Sequence, residues 1–241
     1  NASFRAFCEC LVKGCKKPGA DHPKEEPRPM RLRKKPWISQ ALEDYKGKEL
    51  LEDGLEAYKG KWRALLGDKP LYLEIGCGKG QFISQMAQLH PENAYLGIET
   101  QRDVCYYAVK KLRDQEIDNA RILRADAAHL LDWFEKGEVE GLYLNFSDPW
   151  PKARHAKRRL TYRSFLALYK TILKPAGHLR FKTDNDALFE FSLEEFKEFG
   201  LPLLTVSRDL HHTEILNEAQ TEYEQRFSAL GKNINFCEVV F

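Results

Sequence analysis

Leu71-Tyr72-Leu73-Glu74-Ile75-Gly76-Cys77-Gly78-Lys79-Gly80 decides the fold. Residues 71–75 read as a short apolar strand, and glycines at 76, 78 and 80 then permit a tight turn. Phe82, Ile83 and Met86 follow at helical spacing as far as Leu89, where Pro91 closes the helix. Working outward, the unit of strand, turn and helix repeats. Residues 94–98 form a second strand ending in Glu99, with a helix through Val104, Tyr107, Ala108 and Leu112. Residues 120–125 make a third strand ending in Asp126, and residues 141–146 a fourth. Thr161 is the expected N-cap of the next helix, with Leu160 and Phe165 as a hydrophobic staple. Residues 177–182 are the fifth strand, ending in Thr183-Asp184-Asn185. The last strands, 203–210 and 235–241, have no crossover helix of ordinary length between them. The series predicts an α/β fold: a mostly parallel, doubly wound sheet with an antiparallel C-terminal edge.

The glycine turn identifies the kind of ligand. A dinucleotide fingerprint needs G-x-G-x-x-G, but position 81 is Gln81, and the motif is Glu74-x-Gly76-x-Gly78-x-Gly80. An acid before the first glycine repels a pyrophosphate and tolerates a cation. S-adenosylmethionine, with a sulfonium, an ammonium and no phosphate, satisfies that condition. Glu99 lies at the next strand end, where an acid can accept from ribose hydroxyls, and Asp126 at the third can accept from an adenine amino group. Each acid alone is more simply a helix cap or a solvated charge; three in register with the turn point to a shared site.

Asn145-Phe146-Ser147-Asp148-Pro149-Trp150-Pro151-Lys152 follows the fourth strand. Each proline biases the residue before it toward extended geometry, so Asp148 and Trp150 are both expected to be extended. Lys152, Arg154, Lys157, Arg158 and Arg159, with His155 and Ala156 among them, form a dense basic run suited to phosphate contacts. A solvated helix entry is the plainer reading of such a run, but its place beside Asp148 favours the functional one. Thr221-Glu222-Tyr223-Glu224 opens an amphipathic stretch with a capping box from Thr221 to Glu224. A capped helix end is also a rigid mount for a carboxylate facing a base.

The chain of 241 residues carries a formal charge of only +2, so a nucleic-acid role rests on local segregation of charge. No apolar run approaches a membrane span. Six scattered cysteines make no disulfide framework, which predicts a reducing, cytoplasmic setting. Cys8, Cys10, Cys15 and His22 lack the C-x2-C rhythm of zinc sites, and no metal is expected. Residues 1–29, with four of the eleven prolines and no sustained period, read as a disordered leader or extension ahead of Met30. Residues 30–68 read as a basic, helical segment, with helix over 38–68 around Leu42, Leu50, Leu51, Leu55 and Trp62 and its end near Gly67, and 69–241 as the main domain.

Taken together, the stretches 74–80, 97–99, 144–152, 158–162, 181–185 and 221–224 with Phe227 resemble the bacterial tRNA (guanine-N7)-methyltransferase family. The resemblance implies that the main domain, 69–241, is a methyltransferase domain of Rossmann-like class I fold that transfers a methyl group from S-adenosylmethionine to a variable-loop guanine of tRNA. It implies that Glu74, Glu99, Asp126 and Asp148, with Gly76, Gly78 and Gly80, line the cofactor site, and that Asp148 is also catalytic. It implies that Lys152, Asp184 and Thr221, Glu222, Tyr223 and Glu224 hold the guanine, and that residues 154–159 contact RNA. Ala156 stands where the family usually has an acid. Three rivals predict different behaviour. An exocyclic-amine methylase would favour two prolines before its aromatic, a non-catalytic RNA-binding module would not need the cofactor acids, and a dehydrogenase would need other glycine spacing. Monomer and homodimer are both compatible with the sequence.

Overall fold

A computed structural model describes residues 35–241; the leader, the Cys8, Cys10, Cys15 and His22 group and the Met30 boundary lie outside them. In chain order the elements are α1 (Pro36–Leu42), β1 (Leu50–Leu51), α2 (Trp62–Leu65), β2 (Leu71–Ile75), α3 (Gln81–Leu89), β3 (Ala94–Glu99), α4 (Arg102–Asp114), β4 (Ala120–Arg124), α5 (Leu130–Trp133), β5 (Val139–Asn145), α6 (Arg163–Ile172), β6 (Leu173–Thr183), α7 (Asp186–Phe199), β7 (Leu203–Ser207), α8 (Glu222–Ser228) and β8 (Asn235–Val240). The eight strands run in the order β1-β4-β3-β2-β5-β6-β8-β7. The first six are parallel, and β8 lies antiparallel between β6 and β7.

Alternation along β2 builds both layers. Leu71, Leu73 and Ile75 enter one core with Leu166, Tyr169, Phe189 and Phe196 of α6 and α7. The opposite face joins α3 and α4 through Phe82, Ile83, Met86, Ala108 and Leu112, with Tyr72 packed alongside. Strand order reverses at β2, whose neighbours are β3 and β5. That reversal opens a crevice beyond the strands' carboxyl ends, the usual ligand position in open α/β sheets.

Three local expectations are corrected. Residues 38–68 do not form a continuous helix: only short pieces are helical, and Leu50 and Leu51 pair in parallel with Ile122 and Leu123 as the far edge of the sheet. Gly47, Gly54 and Gly60 interrupt that segment at φ of 70°, 66° and 72°, a conformation that stops a helix and that glycine adopts freely. Thr161 is not a cap. It is fully buried, its hydroxyl is 2.8 Å from that of Ser192, and α6 begins at Arg163. Glu195 of α7 accepts from the Arg163 backbone N–H at 2.8 Å and so takes the cap's role. Trp150 is not extended but left-handed, at φ 42°.

Candidate active site

The turn after β2 is shaped by its glycines. Gly76 and Gly78 sit at φ 78° and 56° with open space where a Cβ would project. At Gly80 (φ 74°) a Cβ would lie 3.0 Å from that of Ala108, so this position serves the close approach of α3 to α4. Two adjoining cavities flank the turn. One, of about 590 Å³, is lined by Glu99, Asp126, Ser147, Asp148, Trp150 and Lys157 among others. The other, of about 210 Å³, is lined by Glu74, Gly78, Lys79, Asn145 and residues 221–223 among others. Gly76 and Phe146 line both.

The single shared site expected of the acids is therefore corrected: the four divide between neighbouring hollows, three in the first and Glu74 in the second, with Gly76 and Phe146 bordering both. Glu74 is 2 % exposed; Asn145 donates to its Oε1 at 2.9 Å, and its buried Oε2 has no hydrogen-bonded partner among the described residues. Burial pushes this carboxyl up to about 8, with Asn145 and the Lys182 charge opposing the rise. Glu99 accepts from the backbone N–H groups of Gly78, Thr100 and Gln101 at 3.2, 2.8 and 2.9 Å. Asp126 caps the short turn after β4, accepting from the Ala128 N–H at 3.0 Å. Asp148 is exposed at the cavity mouth and has no hydrogen-bonded partner among the described residues.

In the basic run, Lys152, Arg154, Lys157 and Arg158 are exposed, and His155 and Ala156 half-buried. Arg158 lies over the Trp150 ring at 4.9 Å, and His155 meets that ring edge-on. Arg159 differs from its neighbours. It donates to the carbonyls of Pro149 and Trp150 at 3.0 and 3.1 Å.

Residues 221–224 begin α8 as expected: the Thr221 hydroxyl accepts from the Glu224 N–H at 2.9 Å. Glu222 pairs with Lys79 and Lys111 at 3.0 and 3.1 Å. The Tyr223 hydroxyl donates to Asp184 at 3.2 Å, and its ring packs between Phe146 and Phe227. Glu224 turns inward. It is fully buried, with Oε2 3.2 Å from the Lys182 ammonium and Oε1 accepting from Asn217 at 2.8 Å. Lys182 also donates to Asn217 Oδ1 and the Ala219 carbonyl at 2.5 and 3.1 Å, which uses all three of its N–H groups.

Residues 68–237 match the protein family described as "Putative methyltransferase". The chain is 47% identical over 213 residues to the tRNA (guanine-N(7)-)-methyltransferase of Geobacillus sp. strain WCH70, covering 88% of this chain and 96% of that protein. It is 48% identical over 211 residues to the protein of the same name in Bacillus subtilis strain 168, covering 87% and 98%. The chain belongs to the tRNA (guanine-N(7)-)-methyltransferase family.

More distant solved structures share the architecture of this family member. The 16S rRNA methyltransferase KamB superposes with a TM-score of 0.59 at 12% identity, covering 76% of this chain and 93% of that one. An antibiotic-related methyltransferase gives 0.57 at 18%, covering 76% and 92%. At such identities the likeness shows the methyltransferase fold alone. Among the described residues no group of three or more His, Cys, Asp or Glu side chains gathers as a metal site, and no helix is long and apolar enough to cross a membrane.

Sequence reasoning missed Lys182, Asn145 and Asn217, which hold Glu74 and Glu224. The signal for Lys182 was its strand: Leu179 and Phe181 face the core, so Arg180 and Lys182 share the other face.

Proposed function

We propose that this family member transfers a methyl group from S-adenosylmethionine to N7 of a guanine in the variable loop of tRNA, in the cytoplasm. The single observation that carries the cofactor side is Glu74, whose buried Oε2 has no hydrogen-bonded partner among the described residues and lies beside an open glycine turn. A ligand bearing positive charge would satisfy that atom and favour its ionised form. Glu74, Gly76, Gly78, Glu99, Asp126 and Asp148 would hold the cofactor, which supplies an electrophilic methyl on a sulfonium.

Guanine N7 carries an in-plane lone pair and no proton, so no general base is needed. The work of the protein is alignment of nucleophile and methyl at about 3–3.5 Å. The purine gains positive charge as the bond forms, and carboxylates near it stabilise the transition state more than the ground state. Asp148 and Asp184 supply that potential and accept from the guanine N1 and N2 hydrogens. Lys152, exposed beyond the loop, donates to O6. Glu222 and Tyr223 line the second cavity. Glu224, with both oxygens engaged within the protein, acts by fixing α8 rather than by touching the base. Arg154, Lys157 and Arg158 are exposed cations of the basic run that meet tRNA phosphates.

Incubation of the protein with unmodified tRNA and labelled S-adenosylmethionine, followed by nucleoside analysis, is the test. Label in 7-methylguanosine at a variable-loop position supports the reading. Label on an exocyclic amine, or none, refutes it.

A further inference from the structure

The loop carrying Asp148 is braced from within the basic run. Phe146 and Trp150 stand two residues to either side of Asp148, and both are left-handed, at φ 52° and 42°. Such backbone is strained for a residue with a side chain and persists only where its surroundings over-determine it. Pro149 and Pro151 contribute no N–H, so the loop has few donors with which to hold itself. Its carbonyls are held from outside. Arg159 Nε donates to the Pro149 carbonyl at 3.0 Å and Nη2 to the Trp150 carbonyl at 3.1 Å. The same guanidinium lies over the Phe191 ring at 4.2 Å, which anchors it to α7.

We propose that Arg159 is a positioning residue that fixes Asp148 at the cavity mouth, and not a contact to RNA phosphate. The inference rests on the reading of Asp148 as the group that meets the target guanine. A phosphate contact needs donors turned to solvent, whereas Arg159 is half-buried with two of its three nitrogens engaged inside the protein. The arrangement also needs a planar fork. A lysine ammonium carries the same charge but cannot span two carbonyls while lying flat on a ring.

Arg159→Lys in the full chain separates the two roles. Turnover at saturating tRNA is expected to fall about 10²-fold from a misplacement near 1 Å, while the salt dependence of tRNA affinity stays that of the unsubstituted protein. In free protein labelled with 5-fluorotryptophan, the Trp150 resonance, assigned through Trp150→Phe, is expected to shift or broaden. A salt slope reduced by about 1 in Arg159→Met, which unlike Arg159→Lys removes the charge, overturns the proposal in favour of a phosphate contact; so does an unaltered Trp150 resonance in Arg159→Lys. If Arg159→Lys fails to fold, Phe191→Leu, which removes only the ring beneath the guanidinium, is read by the same criteria. The fluorine measurement uses no substrate, so an unsubstituted protein that leaves tRNA unmethylated would sink the proposed function and still report on the brace.

Discussion

The Lys182 ammonium lies 3.2 Å from the Glu224 carboxylate, and their side chains are only 8% and 0% exposed. This buried pair ties β6, at the floor of the site, to the first turn of α8. Burial lowers the Lys182 ammonium from its ordinary value, and the Glu224 charge opposes that fall. Lys182→Met would leave the buried Glu224 carboxylate with only Asn217 and His211, at 2.8 and 3.3 Å, beside it, and breaking a buried pair costs about 3–5 kcal/mol. Urea unfolding is expected to show that loss, with much of it recovered when Glu224→Leu is added. Stability restored without turnover would mark the pair as the means by which α8 is held for catalysis.

Glu74 makes stability depend on pH. Its carboxyl is raised by burial from the ordinary 4.5 to about 8. Between those values the folded protein keeps a proton that the unfolded chain has released, so this group's contribution to stability declines as pH rises through the window. Glu74→Gln stays neutral and can keep the bond from Asn145. Its advantage over the unsubstituted protein, without cofactor, is expected to be small at pH 4 and to grow up to pH 8, as measured by urea titration.

Asp148 has no hydrogen-bonded partner among the described residues, so its removal should spare the fold. Asp148→Asn is expected to reduce tRNA methylation by about 10²–10³-fold, the scale for losing one transition-state electrostatic contact. The tRNA dissociation constant should stay within about threefold, because phosphate contacts elsewhere set affinity. Filter binding alongside single-turnover kinetics distinguishes the two effects.

Arg154 and Lys157 extend from the loop into solvent. Alanine at either is expected to flatten the plot of log affinity against log salt by about 1, the signature of one phosphate contact. A slope unchanged by both substitutions would place the RNA path elsewhere.

Gly80→Ala tests the glycine turn apart from chemistry. Its φ of 74° costs a residue with a Cβ about 1–2 kcal/mol, and the new Cβ would meet Ala108 at 3.0 Å. A lower urea midpoint with an unchanged slope is expected.

Much of the fold was legible because its signals are local. Strand, glycine turn and helix alternate from residue 71 onward with the side-chain periods that the two layers require, and the parallel core with its antiparallel edge follows from them. The N-terminal segment was misread because Leu50 and Leu51 fit a helical stripe as well as they fit a two-residue edge strand, and only pairing with β4 decides between them. Of the candidate site, the residue types of the acids and loops were legible, but their division between two hollows and the left-handed turn at Trp150 were not. Its internal scaffolding was not: the bonds from Asn145 to Glu74, Lys182 to Glu224 and Arg159 to Trp150 join residues distant in sequence or placed by an irregular turn. Arg159 in particular looks like any member of a basic run until its carbonyl partners are seen.

The insertion of β8 between β6 and β7 has a consequence for how the protein is made. β7 is synthesised well before β8, its only hydrogen-bonding neighbour among the described strands. Any partly folded state without β8 therefore leaves Leu203, Leu204 and Val206, still partly exposed in the finished fold, on a strand with nothing to pair with, and a second such chain offers the same unmatched ribbon. Loss of residues 235–240 would make that exposure permanent, so a chain cut before Asn235 is expected to aggregate more readily than the full chain.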